Sequence, residues 1–315
     1  MRRTAILLLM IFVLMMFAAC GNVSETGKNS AGENFCTVTD DNGRTVNISK
    51  KPERIVVVSA SFLEPLHEVG GSVVGRPSSK IKVPDFAKDA EDIGPVYQID
   101  TEKLLACRPD LVIVNKGMNE RLSTILDENK INFVVADMKE YENVKKNVLM
   151  FAEITGQPEK GKEVVADMET KIKNIKDNLP AESKRVAILH GTAQGISVQL
   201  DGSIAGNVLK ILGWENVAAG MKAMEGKPDT APYSLETLIE QNPEIIFVTS
   251  MGNIDEIKKH MDATISENPA WQTIPAVKNN QLYYLPQDLF LLSPGIHYPE
   301  AAEYAAKLIY PEVFK

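Results

Sequence analysis

Apolar residues along the chain follow two alternating patterns: short β-rich runs and stripes with helical spacing. The run RIVVVS begins at Arg54. It leads into SASFLEPLHEVGG, where Leu63, Leu66 and Val69 recur at helical spacing before two glycines end the helix. A later run, NFVVAD, begins at Asn132. This alternation of strand and helix predicts an α/β fold with buried, parallel strands.

One motif of thirteen residues occurs twice. EKLLACRPDLVIV begins at Glu102 and ETLIEQNPEIIFV begins at Glu236, 134 residues later (236 − 102). RVAILHG at Arg185 likewise matches RIVVVSA at Arg54, with an offset of 131 residues (185 − 54). A solenoid repeat is about 20 to 50 residues long, so this spacing instead predicts two similar lobes.

A single helical stripe lies between the two copies, in PEKGKEVVADMETKIKNIKDNLP. Its apolar members are Val164, Val165, Met168, Ile172, Ile175 and Leu179. Pro180 closes the segment. At 1.5 Å per residue, twenty-odd residues span about 30 Å, the width of a small domain. The pattern predicts two α/β lobes joined by one long helix, a connection that allows limited closure.

The first residues have the pattern of an export signal. MRRTAILLLMIFVLMMFAACG contains an unbroken apolar run from Ala5 to Ala19, which is shorter than the roughly 20 residues that span a bilayer. FAAC is similar to a lipobox, in which Cys20 is acylated; an ordinary signal peptide with an incidental cysteine is the alternative. We therefore expect a signal peptide over 1–19, a flexible lipid-anchored tether over 20–35, lobes over 36–140 and 181–315, and a linking helical segment over 141–180.

The charge balance excludes one class of partner. The formal net charge is −8, and it becomes −10 once Arg2 and Arg3 leave with the signal. An acidic exported protein lacks the basic face that nucleic-acid binding requires. An exported compartment permits a disulfide, but we do not expect Cys36 and Cys107 to pair, since Cys107 lies on a helix face where a small buried thiol is equally natural.

The combination and order of these segments resemble a known family. The signal with Cys20, VTDDNGRTVNISKKPERIVVVS, the repeated glutamate motif, the linking helix and SPGIHYPEAAEYAAKLIYPE are similar to substrate-binding lipoproteins of ABC importers for iron complexes, haem and vitamin B12. The resemblance implies two Rossmann-like α/β lobes joined by one long helix, with the ligand bound in the cleft between them. It also implies a monomer anchored at the outer face of the cytoplasmic membrane, with no intrinsic cofactor. It implies capture of a ferric siderophore or haem, or alternatively a corrinoid, and delivery to a permease dimer driven by a cytoplasmic ATPase.

The repeated glutamates have both a functional and a structural explanation. Asp100 and Ser234 are good N-caps, which places Glu102 and Glu236 in the first turn of their helices. A carboxylate there is favoured by the helix dipole with no partner at all. The resemblance adds that a glutamate on each lobe meets arginines of the permease, and these two positions match.

Ligands of doubly wound sheets lie beyond the carboxyl ends of the strands. We expect ligand contacts from Tyr97, His190, Met251, Arg76 and Lys116, which follow predicted strands. A tyrosine, histidine or thioether can ligate haem iron, and the cations can meet acidic groups of a chelate. The alternatives are surface packing for Tyr97, backbone contacts for His190, cleft lining for Met251 and simple solvation for Arg76 and Lys116. No axial ligand pair or arginine cluster stands out, so the chelate and any metal ligands stay open.

Two other classes remain possible from the residues alone. An exported enzyme is disfavoured because the chain has no GxSxG elbow, HExxH helix or P-loop. A binding protein for bare Zn²⁺ or Mn²⁺ needs several histidine and carboxylate ligands. His67, His260 and His297 do not follow strands that would deliver them to a cleft.

Overall fold

The computed structural model describes residues 34–79, 83–192, 195–252, 254–292 and 294–314. The predicted signal peptide, Cys20 and nearly all of the tether lie outside these described residues. We call residues 36–140 the first half and residues 181–314 the second half. Within the described ranges, no helix is long and apolar enough to cross a membrane.

The first half contains an antiparallel hairpin and a five-stranded sheet whose strands are all parallel. The hairpin is β1 (Cys36–Thr39) and β2 (Thr45–Ile48). The sheet contains β3 (Ile55–Val57), β4 (Val73–Arg76), β5 (Glu91–Asp92), β6 (Leu111–Asn115) and β7 (Asn132–Ala136), in the order β5-β4-β3-β6-β7. Its helices are α1 (Leu63–Glu68), α2 (Thr101–Ala106) and α3 (Leu122–Glu128). The predicted strand-helix alternation is confirmed.

Two helices connect the halves. They are α4 (Tyr141–Thr155) and α5 (Pro158–Asn178), separated by Gly156, whose φ of 70° ends α4 in the left-handed conformation. The 21 residues of α5 correspond to about 30 Å. Met168, Ile172 and Ile175 are buried on its inner face, as the stripe predicted.

The second half is built on a six-stranded mixed sheet. Its strands are β8 (Arg185–Thr192), β9 (Gly195–Gln199), β10 (Glu215–Asn216), β11 (Thr230–Pro232), β12 (Ile245–Ser250) and β13 (Leu282–Tyr284). The main order is β11-β9-β8-β12-β13, and β10 pairs with β8. Its helices are α6 (Ile204–Leu212), α7 (Leu235–Gln241), α8 (Ile254–Glu267), α9 (Pro275–Lys278), α10 (Gln287–Phe290) and α11 (Tyr298–Ile309).

The sequence repeat corresponds to a repeat of strand pairing. In the first half Ile55 lies opposite Leu111, and in the second half Val186 lies opposite Ile245. Val186 corresponds to Ile55 and Ile245 corresponds to Leu111, at the offsets seen in the sequence repeat. The parallel trio β3-β6-β7 is thereby repeated as β8-β12-β13. The similarity in strand pairing therefore covers three adjacent strands of each sheet.

The similarity of the two halves does not extend to the other side of β8. There β9 runs antiparallel to β8, whereas the corresponding neighbour of β3 is the parallel strand β4. The physical reason is the connection. Only residues 193 and 194 separate β8 from β9, and a parallel partner would need a crossover of a dozen residues or more.

The helices on the inner side of the two sheets share one apolar core. A single cluster of buried side chains contains alternate residues of β3 and β6 from the first sheet and alternate residues of β8 and β12 from the second. Helices α4, α5, α6 and α11 also contribute side chains to this cluster. The opposite face of each sheet has its own smaller cluster. The halves therefore have separate sheets and outer layers but not separate inner cores.

Polar contacts also join the halves near the ends of the strands. The amide of Tyr141 donates to Asn207 Oδ1 over 3.0 Å, and Lys139 forms an ion pair with Asp229. The hydroxyl of Tyr298 donates to the carbonyl of Lys139, and its ring packs edge-on against Tyr141. These contacts fix the segment after β7 to the second half.

Candidate ligand-binding cleft and paired glutamates

Large apolar side chains are exposed on the segments that follow the strands. Tyr97 is 70% exposed after β5, Met118 is 52% exposed after β6, and Met251 is 63% exposed directly after β12. Leu292, beyond β13, is 38% exposed. In a sheet of this type, the carboxyl ends of the strands are where ligands bind.

The loop that carries Tyr97 is held from both sides. Gly94 begins it at φ 89°, and its amide donates to Asp92 Oδ1. Asn119 Nδ2 donates to the carbonyl of Val96 over 2.7 Å, and Arg121 Nη2 donates to the carbonyl of Tyr97 over 3.2 Å. The backbone is thus fixed while the aromatic ring stays in solvent, an arrangement suited to contact with a flat ligand.

Asn119 and Arg121 were missed by the reasoning from sequence. Asn119 is 1% exposed, and Arg121 is the exposed cation beside Tyr97. Both follow β6 within a short loop, so their position after a strand was a usable signal. Their contacts with residues more than twenty positions earlier were not readable from the sequence.

His190 lies within β8 and not at its end. β8 continues to Thr192, and Gly191 and Thr192 pair with β9, so the residues directly after His190 belong to the strand and not to a loop. Its Nδ1 lies 3.1 Å from Thr249 Oγ1 on the neighbouring strand. Burial lowers the pKa of the half-buried His190. A neutral imidazole can still use its other nitrogen toward a ligand.

The two predicted cations make contacts within the protein. Only 12% of the Arg76 side chain is exposed, and its guanidinium donates to the carbonyls of Ala87 and Pro77, with Asp92 at 3.7 Å. Lys116 is exposed, and its Nζ donates to the carbonyl of Asp41 over 2.8 Å. Neither is simply solvated. A ligand role for Tyr97, His190, Met251 and these cations stays a prediction.

The N-caps of the repeated helices are as predicted. Asp100 Oδ1 accepts from the amide of Lys103 over 3.1 Å, and Ser234 Oγ accepts from the amide of Thr237 over 3.3 Å. Glu102 and Glu236 are exposed in the first turns of α2 and α7. Neither forms an ion pair within the described part of the chain, so both carboxylates are presented to solvent.

The two cysteines of the described residues lie in different surroundings. Cys36 and Cys107 are both free thiols, and Cys107 is buried with its Sγ 3.7 Å from the carbonyl of Val74. Burial raises the pKa of both thiols. Across the described ranges, no group of three or more histidine, cysteine, aspartate and glutamate side chains is arranged to hold a metal ion.

Two α/β halves with exposed loops beyond their strands define the class of a two-lobed ligand-binding protein. Residues 55–289 match the model of the periplasmic binding protein family, and the chain belongs to this family. The resemblance found in the sequence is confirmed at this level. The family consists of solute-binding proteins.

Relatives and solved structures agree with this assignment. The chain is 26% identical to the Fe(3+)-citrate-binding protein YfmC of Bacillus subtilis, covering 98% of this chain and 96% of the relative. It is 26% identical to the high-affinity heme uptake system protein IsdE of Staphylococcus aureus, covering 82% and 88%. An ABC transporter substrate-binding protein from Listeria monocytogenes superposes with a TM-score of 0.73 at 25% identity, covering 83% of this chain and all of that one.

Proposed function

We propose that this protein is the extracytoplasmic binding component of an ABC importer and captures an iron complex, either a ferric siderophore or haem. The observation that carries the proposal is the fixed loop with an exposed Tyr97 ring, together with exposed Met118 and Met251, beyond the strands of the two halves. Curated relatives named for Fe(3+)-citrate and heme support the same ligand class. The protein acts by binding and release, without catalysis.

The anchoring and delivery steps are part of the proposal. Cys20 carries the lipid and the residues after it form the tether, in keeping with relatives named as substrate-binding lipoproteins. The monomer stays at the outer face of the cytoplasmic membrane. Exposed Glu102 and Glu236 dock on arginines of a permease dimer, whose cytoplasmic ATPase drives uptake.

Equilibrium dialysis of the full-length protein in detergent tests the ligand class. The probes are haemin, ferric citrate, a ferric tris-catecholate, a ferric tris-hydroxamate, cobalamin, Zn²⁺ and Mn²⁺, with metal content and visible absorbance as the measurements. Tryptophan quenching is a poor readout because Trp214 and Trp271 are 6% and 1% exposed.

We expect one of the iron complexes to bind at about one equivalent and more tightly than cobalamin or either bare ion. Tighter binding of cobalamin would move the assignment to a corrinoid. Tighter binding of Zn²⁺ or Mn²⁺ would replace it with a bare-metal carrier. Conversion of a bound probe to a new product would make the protein an enzyme.

A further inference from the structure

A short turn of the second half packs directly on the first half. The 3₁₀ turn Gly295–His297 precedes α11 and contacts α1, α4 and α5. Gly295 has a φ of 54°, and a Cβ placed on it would lie 3.3 Å from Pro65 Cγ and 3.6 Å from the carbonyl oxygen of Ser61. The turn therefore lies close to the segment after β3, with little space between them for a side chain at position 295.

His297, at the end of this turn, contacts carboxylates on both sides. Its Nε2 lies 2.8 Å from Glu64 Oε2 on α1 of the first half, and its Nδ1 lies 2.8 Å from Glu300 Oε1 on α11. A neutral imidazole has one N–H, and an ionised carboxylate can only accept. Both contacts are therefore hydrogen bonds only when His297 is an imidazolium.

The charges around His297 favour the imidazolium. The charged groups that face His297 are Glu64, which contacts it, and those that line the same surface depression, namely Glu68 of α1, Glu163, Asp167 and Lys171 of α5, and Glu300 of α11. Lys171 is paired with Asp167, and Lys145 with Glu142 and Glu169. His67 stacks on Phe86, and burial raises the pKa of Tyr141 to about 12, so Tyr141 stays neutral. The other charged groups that line this depression are carboxylates.

The balance of these effects has a definite sign. Partial burial opposes the charge on His297, but its hydrogen bonds to Glu300 and Glu64, and the negative charge of both, raise its pKa above the ordinary value. A group whose pKa is raised in the folded protein adds stability that is present at low pH. That stability is lost as the pH rises through the raised pKa.

We propose that Glu64, His297 and Glu300 form a latch that fixes α1 of the first half against the turn Gly295–His297 while His297 carries a proton and loosens this contact when the proton is lost. After deprotonation one ring nitrogen presents a lone pair to a carboxylate, so one of the two bonds becomes a repulsive contact. Because α1 follows the segment at the end of β3, the latch controls the position of that wall of the cleft. The inference concerns the protein without ligand and does not depend on which molecule binds.

Proton NMR of the full-length protein in detergent tests the first requirement. The chain has four histidines, and the signal of His297 is the one missing in His297→Gln. We expect its titration midpoint to lie above 6.5, and Glu64→Gln and Glu300→Gln each to lower it. Glu303→Gln, an exposed glutamate on the same helix as Glu300, is the matched control and should leave the midpoint unchanged. A midpoint at or below 6.5 would overturn the latch.

Hydrogen exchange tests whether the proton moves the structure. After correction for intrinsic exchange rates, we expect amides of residues 60–68 and 294–300 to lose protection as the pH rises through the His297 midpoint. The loss should be at most about tenfold per pH unit, since one proton is exchanged. His297→Gln should show no such step, while His260→Gln, an exposed histidine on α8, should behave as the wild type. A step that persists in His297→Gln would mean that another group controls these segments.

Discussion

Tyr97 is the residue on which ligand affinity should depend most among the exposed aromatic side chains. Replacing Tyr97 by alanine removes a ring whose loop is already fixed by Asn119 and Arg121. Stacking of an aromatic pair contributes about 0.5–1.5 kcal/mol, so we expect affinity for the bound iron complex to fall by about threefold to tenfold in equilibrium dialysis.

Two further variants define what Tyr97 does. Tyr97→Phe should keep the affinity if the ring stacks on the ligand, and lose it with a change in visible absorbance if the phenolate ligates iron. Tyr304→Ala removes a partly exposed tyrosine from α11 and is the matched control. Full affinity in Tyr97→Ala would remove Tyr97 from the site.

Arg108 and Asn242 occupy equivalent positions of the repeat and share a left-handed backbone conformation, although the residue type differs. They lie 134 positions apart (242 − 108), each before a proline, with φ values of 47° and 50°. The left-handed region costs most residues about 1–2 kcal/mol, and asparagine tolerates it better. We expect Arg108→Asn to stabilise the protein and Asn242→Ala to destabilise it, each by about 1 kcal/mol in urea unfolding. Arg108→Gln should be neutral.

At this scale, the sequence predicted what local contacts determine. Asp100 and Ser234 could be recognised as N-caps because a cap bonds to an amide three residues later. The contacts of Arg76 could not be predicted, since its partner Ala87 lies in a separate turn eleven residues away. Likewise, the strand pairing that encloses His190 depends on β9 and β12.

At the scale of elements, α2 and α7 present matching carboxylates to solvent. We expect Glu102→Gln and Glu236→Gln each to weaken docking on the permease by about 1.5-fold to 5-fold, the range of exposed ion pairs, with a larger effect in the double variant. The measurement is stimulation of permease ATPase activity in proteoliposomes as a function of binding-protein concentration at low and moderate salt.

Ligand affinity should be unchanged in these variants, because both glutamates are surface residues of helices and not of the exposed apolar loops. Glu240→Gln, in the last turn of α7, is the control for loss of charge alone. If the double variant stimulates the ATPase as the wild type does, the two glutamates do not contribute to docking and only stabilise the first turns of their helices.

The elements themselves were predicted unequally. The linking helix α5 follows from periodicity because it has a long apolar stripe. The helix and strand of each glutamate motif follow from clear ends, since an N-cap begins each helix and a proline separates it from the strand. The direction of β9 did not follow, since a glycine-rich segment after a strand permits either a loop or a hairpin turn. The choice depends on pairing with β8 and β11.

At the scale of the molecule, the shared inner core predicts one cooperative unfolding transition. Both tryptophans lie in the second half, so their fluorescence reports that half, while far-UV circular dichroism reports helices of both. We expect the two signals to change together in urea. Met168→Ala, in the buried stripe of α5, should lower the unfolding free energy by about 2–5 kcal/mol and keep the signals coincident.

Val313→Ala, at an exposed position near the end of the chain, is the matched control and should have little effect. Two separate transitions in the wild type would show that the halves unfold independently. The repeat in the sequence predicted two similar lobes but not this common core. Apolar positions in the sequence show which face of an element is buried, but they do not show which other element packs against that face.

The antiparallel strand β9 makes the two sides of the molecule unequal. The first half borders the cleft with parallel strands only, whereas the second half contributes the β8–β9 hairpin with His190 within it. A ligand that binds between them, as proposed, would meet two unlike walls. The two orientations of such a ligand that exchange the halves are consequently not equivalent, and the approximate twofold relation of the halves does not extend to the molecule that they would hold.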